Sequence, residues 1–168
     1  MKTVRKSVFE TNSSSVHSLS ISRDEKICTP NYLNGYFGEF GWGYEILSIP
    51  EERLSYLLVA LANFSGANGY NVKFEDGKKV FLNFNMFKWT DDVVFAHTGS
   101  NIVFNWDDIS RGEYYPFGYI DHQSVSYPSG IPDVLSDFWS EEKDVFSKNI
   151  EDFIFNDKYV VEIDNDNH

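Results

Sequence analysis

Arg5, Glu10, the run Thr11-Asn12-Ser13-Ser14-Ser15 and His17 place a cation, a carboxylate, several hydroxyls and an imidazole within thirteen residues. A turn rich in serine and backbone N–H groups can hold a phosphate, an arginine can pair with it, and a histidine can move a proton near neutral pH. Arg5, Glu10, Ser13, Ser14, Ser15 and His17 are therefore the candidate site for an enzyme acting on a nucleotide or another phosphate-containing substrate. A structural reading competes with it, because Thr, Asn and Ser bond to their own backbone in turns throughout proteins. The structural reading is preferred here, and a binding protein is expected before an enzyme.

Asp91-Asp92, Asp107-Asp108 and Asp121-His122 offer oxygen and nitrogen ligands that a fold could gather round a divalent metal. The chain has neither a His-Glu-x-x-His motif nor a twelve-residue calcium loop, so no metal is expected and paired acids read as a solvated face. Gly35, Gly38, Gly41 and Gly43 follow neither phosphate-loop nor dinucleotide spacing, and no cofactor is expected. The aromatics among them, Tyr36, Phe37, Phe40, Trp42 and Tyr44, read first as core and second as a contact patch. His97 and His122 read as structural histidines, and His168 lies in a polar tail. Cys28 is the lone cysteine, so no intramolecular disulfide is expected.

The elements that would position these groups follow from periodicity. Thr3 to Phe9 reads as extended, Thr11 to Ser15 as a turn, and Val16 to Ser22 alternates with a strand's period of two, so a hairpin is expected. Ser48-Ile49-Pro50-Glu51 is a capping-box pattern, and Leu54, Leu57, Leu58 and Leu61 then share one helical face, predicting a helix that ends near Phe64. Asp76-Gly77 between Tyr70–Phe74 and Val80–Phe84 predicts a second hairpin. Short strands are expected at Val93–Ala96, Asn101–Trp106 and Gly118–Asp121. Pro132 opens a helical stretch through Trp139, and Val145, Phe146, Ile150, Phe153 and Ile154 continue with helical spacing. Tyr159–Ile163 reads as a closing strand. The inventory is α+β, with antiparallel strands or hairpins and two to three helices.

With 168 residues, 42% hydrophobic and 17% aromatic, the chain has the length and composition of one folded domain covering residues 1–168. No fixed-period repeat and no apolar run near the roughly 20 residues of a membrane span is present. Met1 to Lys6 is charged, but no apolar run follows it, so a cytoplasmic location is expected. Charge divides the chain more sharply than any linker: residues 1–90 hold 10 Lys+Arg and 9 Asp+Glu, whereas residues 91–168 hold 4 and 17. A net charge of -12 repels phosphate backbones and anionic membranes alike, so direct nucleic-acid binding is a poor expectation.

The run Val8-Phe9-Glu10-Thr11-Asn12-Ser13-Ser14-Ser15-Val16-His17-Ser18-Leu19 resembles an amino-terminal signature on proteins of unknown function from bacteriophages and mobile elements. The resemblance covers about the first twenty residues; it implies a phage-borne accessory protein acting in the cytoplasm of a bacterial host cell and no activity. A more distant likeness to ADP-ribosyltransferases would use Arg5 and the serines, but no Glu-x-Glu occurs in the chain. The leading expectation is an acidic inhibitor that occupies a basic, normally nucleic-acid-binding groove of a host defence enzyme such as a restriction or CRISPR nuclease. Its carboxylates would stand where a duplex presents phosphates. The expected contact residues are Asp91, Asp92, Asp107, Asp108, Glu113, Asp133, Asp137, Glu141, Glu142, Asp144, Glu151 and Asp152, with aromatic anchors among them.

Overall fold

The computed structural model describes residues 2–4, 15–21, 31–41, 43–63, 72–75, 78–81, 85–104, 118–120, 125–126 and 131–165. In chain order the elements are β1 (Lys2–Val4), β2 (Ser15–Ile21), β3 (Asn34–Gly35), β4 (Glu39–Phe40), β5 (Glu45–Leu47), α1 (Pro50–Asn63), β6 (Val72–Glu75) and β7 (Lys78–Phe81). Then follow α2 (Asn85–Thr98), β8 (Val103–Phe104), β9 (Tyr119–Ile120), β10 (Val125–Ser126), β11 (Ile131–Pro132), a 3-10 turn at Asp133–Leu135, α3 (Lys143–Phe155) and β12 (Tyr159–Asn165). The fold is α+β in a single domain, as the periodicities predict.

The helix α1 is the hub. Pro50 suits its first turn because the N–H that proline lacks would find no partner there. The carboxylate of Glu52, rather than that of Glu51, closes the capping arrangement: it accepts from the backbone N–H of Ser48 at 2.8 Å and of Ile49 at 3.2 Å. Glu51 instead braces β3 by accepting from the backbone and side-chain nitrogens of Asn34. A one-sided apolar stripe is too modest a description of this helix, since every residue from Arg53 to Ala62 is buried. Leu54, Leu57, Leu58 and Leu61 are fully enclosed, each contributing about 1.5–3 kcal/mol of burial. The helix packs against β3, β9, α2 and α3.

An antiparallel sheet in the order β1-β2-β12-β5 places the last strand between two early ones. Its register sets Leu19 and Leu47 on either side of Val161, and the buried Leu47, Val161 and Ile163 supply this sheet's share of the core. The expected pairing of the first two extended segments is present, with Lys2 opposite Ile21 and Val4 opposite Leu19. β6 and β7 form the second antiparallel pair expected around Asp76-Gly77, whose two turn residues lie outside the described set.

Two short parallel pairs, β3 with β8 and β4 with β9, tie the glycine-rich segment to the middle of the chain. They explain two of its glycines' neighbours in steric terms. A Cβ on Gly35 would stand 2.6 Å from Leu58 Cδ1, so α1 lies directly on this strand. Gly118 has φ +83°, and a Cβ there would sit 2.0 Å from the Gly38 carbonyl oxygen, which accepts from Tyr119 N at 3.0 Å. Phe37 and Phe40 are buried, in line with the core reading of this segment, whereas Tyr44 is exposed.

Two expectations need correction. Val93–Ala96 is not a strand but part of α2, because Met86, Phe87, Thr90 and Val94 bury one helical face and that tertiary demand outweighs the local β-propensity of Val and Phe. Pro132 does not open a helix through Trp139: it ends β11 in an extended conformation, a single 3-10 turn follows, and the next α-helix starts only at Lys143. Val103–Phe104, Tyr119–Ile120 and β12 fall where strands are expected.

Candidate partner-binding surface

Phe146, Ile150, Phe153 and Ile154 bury one face of α3, and its opposite face is set by what remains. Asp144, Lys148, Glu151 and Asp152 are exposed there, and Glu141 and Glu142 stand exposed just before its first turn. Acids at this end are favoured by the helix dipole, each by about 0.3–1 kcal/mol. Their placement therefore has a local structural reason as well as any functional one.

The helices α2 and α3 pack against each other through several side-chain contacts. Trp89 meets Phe146, with ring centroids 6.0 Å apart. Lys143 Nζ lies 3.7 Å from Asp92, and further along His97 stacks on Phe155 at 3.8 Å while its Nδ1 lies 3.5 Å from Glu151. The half-exposed Lys143–Asp92 ion pair contributes about 0.2–1 kcal/mol at most. His97 thus bridges two helices, which fits its structural reading. Phe95 is 51% exposed on α2 and Val145 44% exposed on α3.

The predicted acids separate by what holds them. Asp91 accepts from Asn101 Nδ2 at 2.6 Å and from the backbone N–H of Ile102 at 2.8 Å, fixing the turn that leads out of α2. Asp152 accepts from Asn156 Nδ2 and from the Tyr159 hydroxyl at 2.8 Å. Burial, and then that bond and the carboxylate's charge, push the Tyr159 phenol up to about 12. Asp133 lies in the 3-10 turn and acts on the enclosed Tyr56. Asp137 is exposed, and Glu141, Glu142 and Asp144 are exposed with no side-chain partner among the described residues. Asp107, Asp108 and Glu113 lie outside the described residues.

Of the amino-terminal set, Ser15 and His17 belong to β2, opposite Asn165 and Ile163 of β12. Arg5, Glu10, Ser13 and Ser14 lie outside the described residues. Among the described residues no three His, Cys, Asp or Glu side chains gather as a metal site would require, and no helix is long and apolar enough to cross a membrane.

Sequence reasoning overlooked Arg53, which is fully buried. Its guanidinium donates to three carbonyls: to Ile154 O from Nε at 3.2 Å and Nη2 at 2.6 Å, and from Nη1 to Ser48 O at 2.8 Å and to Tyr159 O. Ile154 is in the last turn of α3, where a carbonyl has no helical donor and the helix dipole is negative, so both the bond and the charge are compensated. Burial lowers the arginine to about 10. The signal was present in the sequence, because Arg53, Leu57 and Leu61 share one helical face at a spacing of four. A second overlooked group is Tyr36 with Glu45, Glu51 and Glu52: burial raises the Tyr36 phenol, and the three carboxylates raise it further. Glu45 is half-buried and itself raised by desolvation, against the opposing bond from Gly41 N at 3.3 Å.

Comparison with protein-family models, with curated proteins and with solved structures finds no match for this chain.

Proposed function

We propose that this protein is an acidic binding protein whose carboxyl-terminal half enters a basic groove on a nucleic-acid-binding enzyme, in the manner of a phage-encoded inhibitor of a bacterial defence nuclease. The observation that carries the proposal is the outer face of α3 and the approach to it. Glu141, Glu142, Asp144, Glu151 and Asp152 accompany only Lys143 and Lys148 over residues 141–152, and Lys143 is turned toward Asp92. The four apolar residues beneath hold this face on the core, so its charges are pre-positioned and little ordering entropy is lost on docking.

Magnitude limits the imitation. Residues 143–152 rise about 14 Å along the helix and the two residues before it add up to about 7 Å, giving roughly one net negative charge per 7 Å. A duplex strand carries one per about 3.4 Å. The face therefore resembles part of one strand, and Val145, exposed on the same helix, supplies contact that a phosphate backbone lacks. Such a complex gains association rate from charge and residence time from apolar burial.

The test is DNA cleavage by purified restriction and CRISPR nucleases titrated with the intact chain. Stoichiometric inhibition that weakens with salt and is relieved by excess duplex is expected for at least one of them. Salt-independent inhibition, or turnover of a nucleotide without inhibition, would contradict the proposal.

A further inference from the structure

The four-stranded sheet ends in two edges, β1 and β5, and they are built differently. β1 contains Lys2, the residue type with which edge strands commonly resist further pairing. β5 reads Glu45-Ile46-Leu47, without lysine or proline, and among the described residues it is paired on one side only, by β12. Alternate N–H and C=O groups of an edge strand point away from its neighbour. Beside them stand exposed apolar side chains close in sequence: Tyr44 is 64% exposed, Ile46 47% and Ile49 40%.

We propose that the edge of β5 docks an extended segment of a partner protein in which basic and apolar residues alternate. The alternation follows from the strand itself. Tyr44 and Ile46 lie on the sheet's outer face, where they would meet every second residue of an added strand. Glu45, on the other face, would meet the residues between. Glu51 and Glu52 act with Glu45 on the Tyr36 phenol, and among the described residues the hydrogen-bond donors to the three carboxylates are neutral: Gly41 N, the two nitrogens of Asn34, and the N–H groups of Ser48 and Ile49. The nearby cation among the described residues, Arg53, acts on Glu52 but is buried on carbonyls, so the charge of Glu45 and Glu51 remains to attract Lys or Arg. A second copy of this chain fits poorly, because pairing β5 with its twin would bring two sets of these glutamates together.

The probe is a labelled six-residue peptide alternating Lys and Val, added to the intact chain and followed by fluorescence anisotropy and by amide hydrogen exchange at 45–47. Saturable binding is expected, with exchange at these amides slowed at least tenfold. The same peptide N-methylated at every residue, and one alternating Glu and Val, should each bind at least tenfold more weakly. Ile46→Lys should weaken the Lys/Val peptide by a similar factor, and the N-methylated peptide tests the pairing even if that variant folds poorly. The triple variant E141K/E142K/D144K should bind the peptide as the wild type does. Equal binding of the N-methylated peptide, protection at α3 in place of β5, or concentration-dependent protection of β5 by the chain alone would each overturn the proposal.

Discussion

α1 and α3 are almost the same length, 14 and 13 residues, and they use charge in opposite ways. α1 turns a cation inward, where Arg53 joins the start of α1 to the end of α3 and the start of β12 through three carbonyls. α3 turns anions outward, where Asp144, Glu151 and Asp152 meet solvent. The buried charge is committed to the fold, and most of the exposed charge is not. This difference makes the acidic face available for a partner, because its reversal need not dismantle the structure beneath it.

The sharpest way to break the comparison is at Arg53. Arg53→Leu leaves the carbonyls of Ser48, Ile154 and Tyr159 without their side-chain donor in the interior, at about 1–3 kcal/mol each. Destabilisation of at least about 3 kcal/mol is expected by urea unfolding, with Arg53→Lys intermediate. A loss below about 1 kcal/mol would show that the clasp does not hold the elements together. Next in size is Gly118→Ala, where a side chain would meet both a positive φ and the Gly38 carbonyl; about 2–3 kcal/mol is expected in the same measurement.

These two positions also mark what was legible in the sequence. The leucine spacing and Pro50 located α1, and the alternation in β2 and β12 located strands, because each pattern repeats within a few residues. The partners of Arg53 could not be read this way. Two of its three acceptors lie 101 and 106 residues away in the chain, and carbonyl positions carry no side-chain signal. For α2, Val93 to Ala96 has β-forming residue types, and only the buried face completed by Met86, Phe87 and Thr90 shows it to be helical. The acidic candidates were legible as charge but not as geometry. Composition cannot distinguish Asp91 and Asp152, held by specific donors, from Glu141, Glu142 and Asp144, which face solvent.

Between the acids that serve the fold and those that do not, Asp152 offers a pH-dependent test. Tyr159 has its folded value raised to about 12 from an ordinary phenol near 10. The folded state therefore keeps a proton that the unfolded state loses. This contribution is complete below about pH 10 and is lost as pH rises to about 12. Tyr159→Phe should flatten that part of the stability profile, followed by chemical unfolding from pH 9 to 12. An unchanged slope would mean that the Tyr159 phenol, raised by burial and by Asp152, does not set it.

The smallest effect belongs to the ion pair between the two helices. Lys143→Ala should change stability by no more than about 0.5 kcal/mol, since both partners are about half exposed. The enzyme reading is sharpened separately: His17→Ala should leave nuclease inhibition intact, whereas a proton carrier at that position predicts turnover of a phosphate-containing substrate that this variant loses.

The most direct measurement is the association rate of a nuclease that this chain inhibits, compared for wild type and E141K/E142K/D144K across salt concentration. Both proteins should fold, the variant losing about 1–3 kcal/mol as three favourable charges leave the amino-terminal end of α3. At low salt the variant should associate at least tenfold more slowly, and the two rates should converge as screening shortens the Debye length from about 10 Å at 0.1 M toward about 3 Å at 1 M. Equal rates at low salt for two folded proteins would contradict the claim that the outer face of α3 guides the chain into a basic groove.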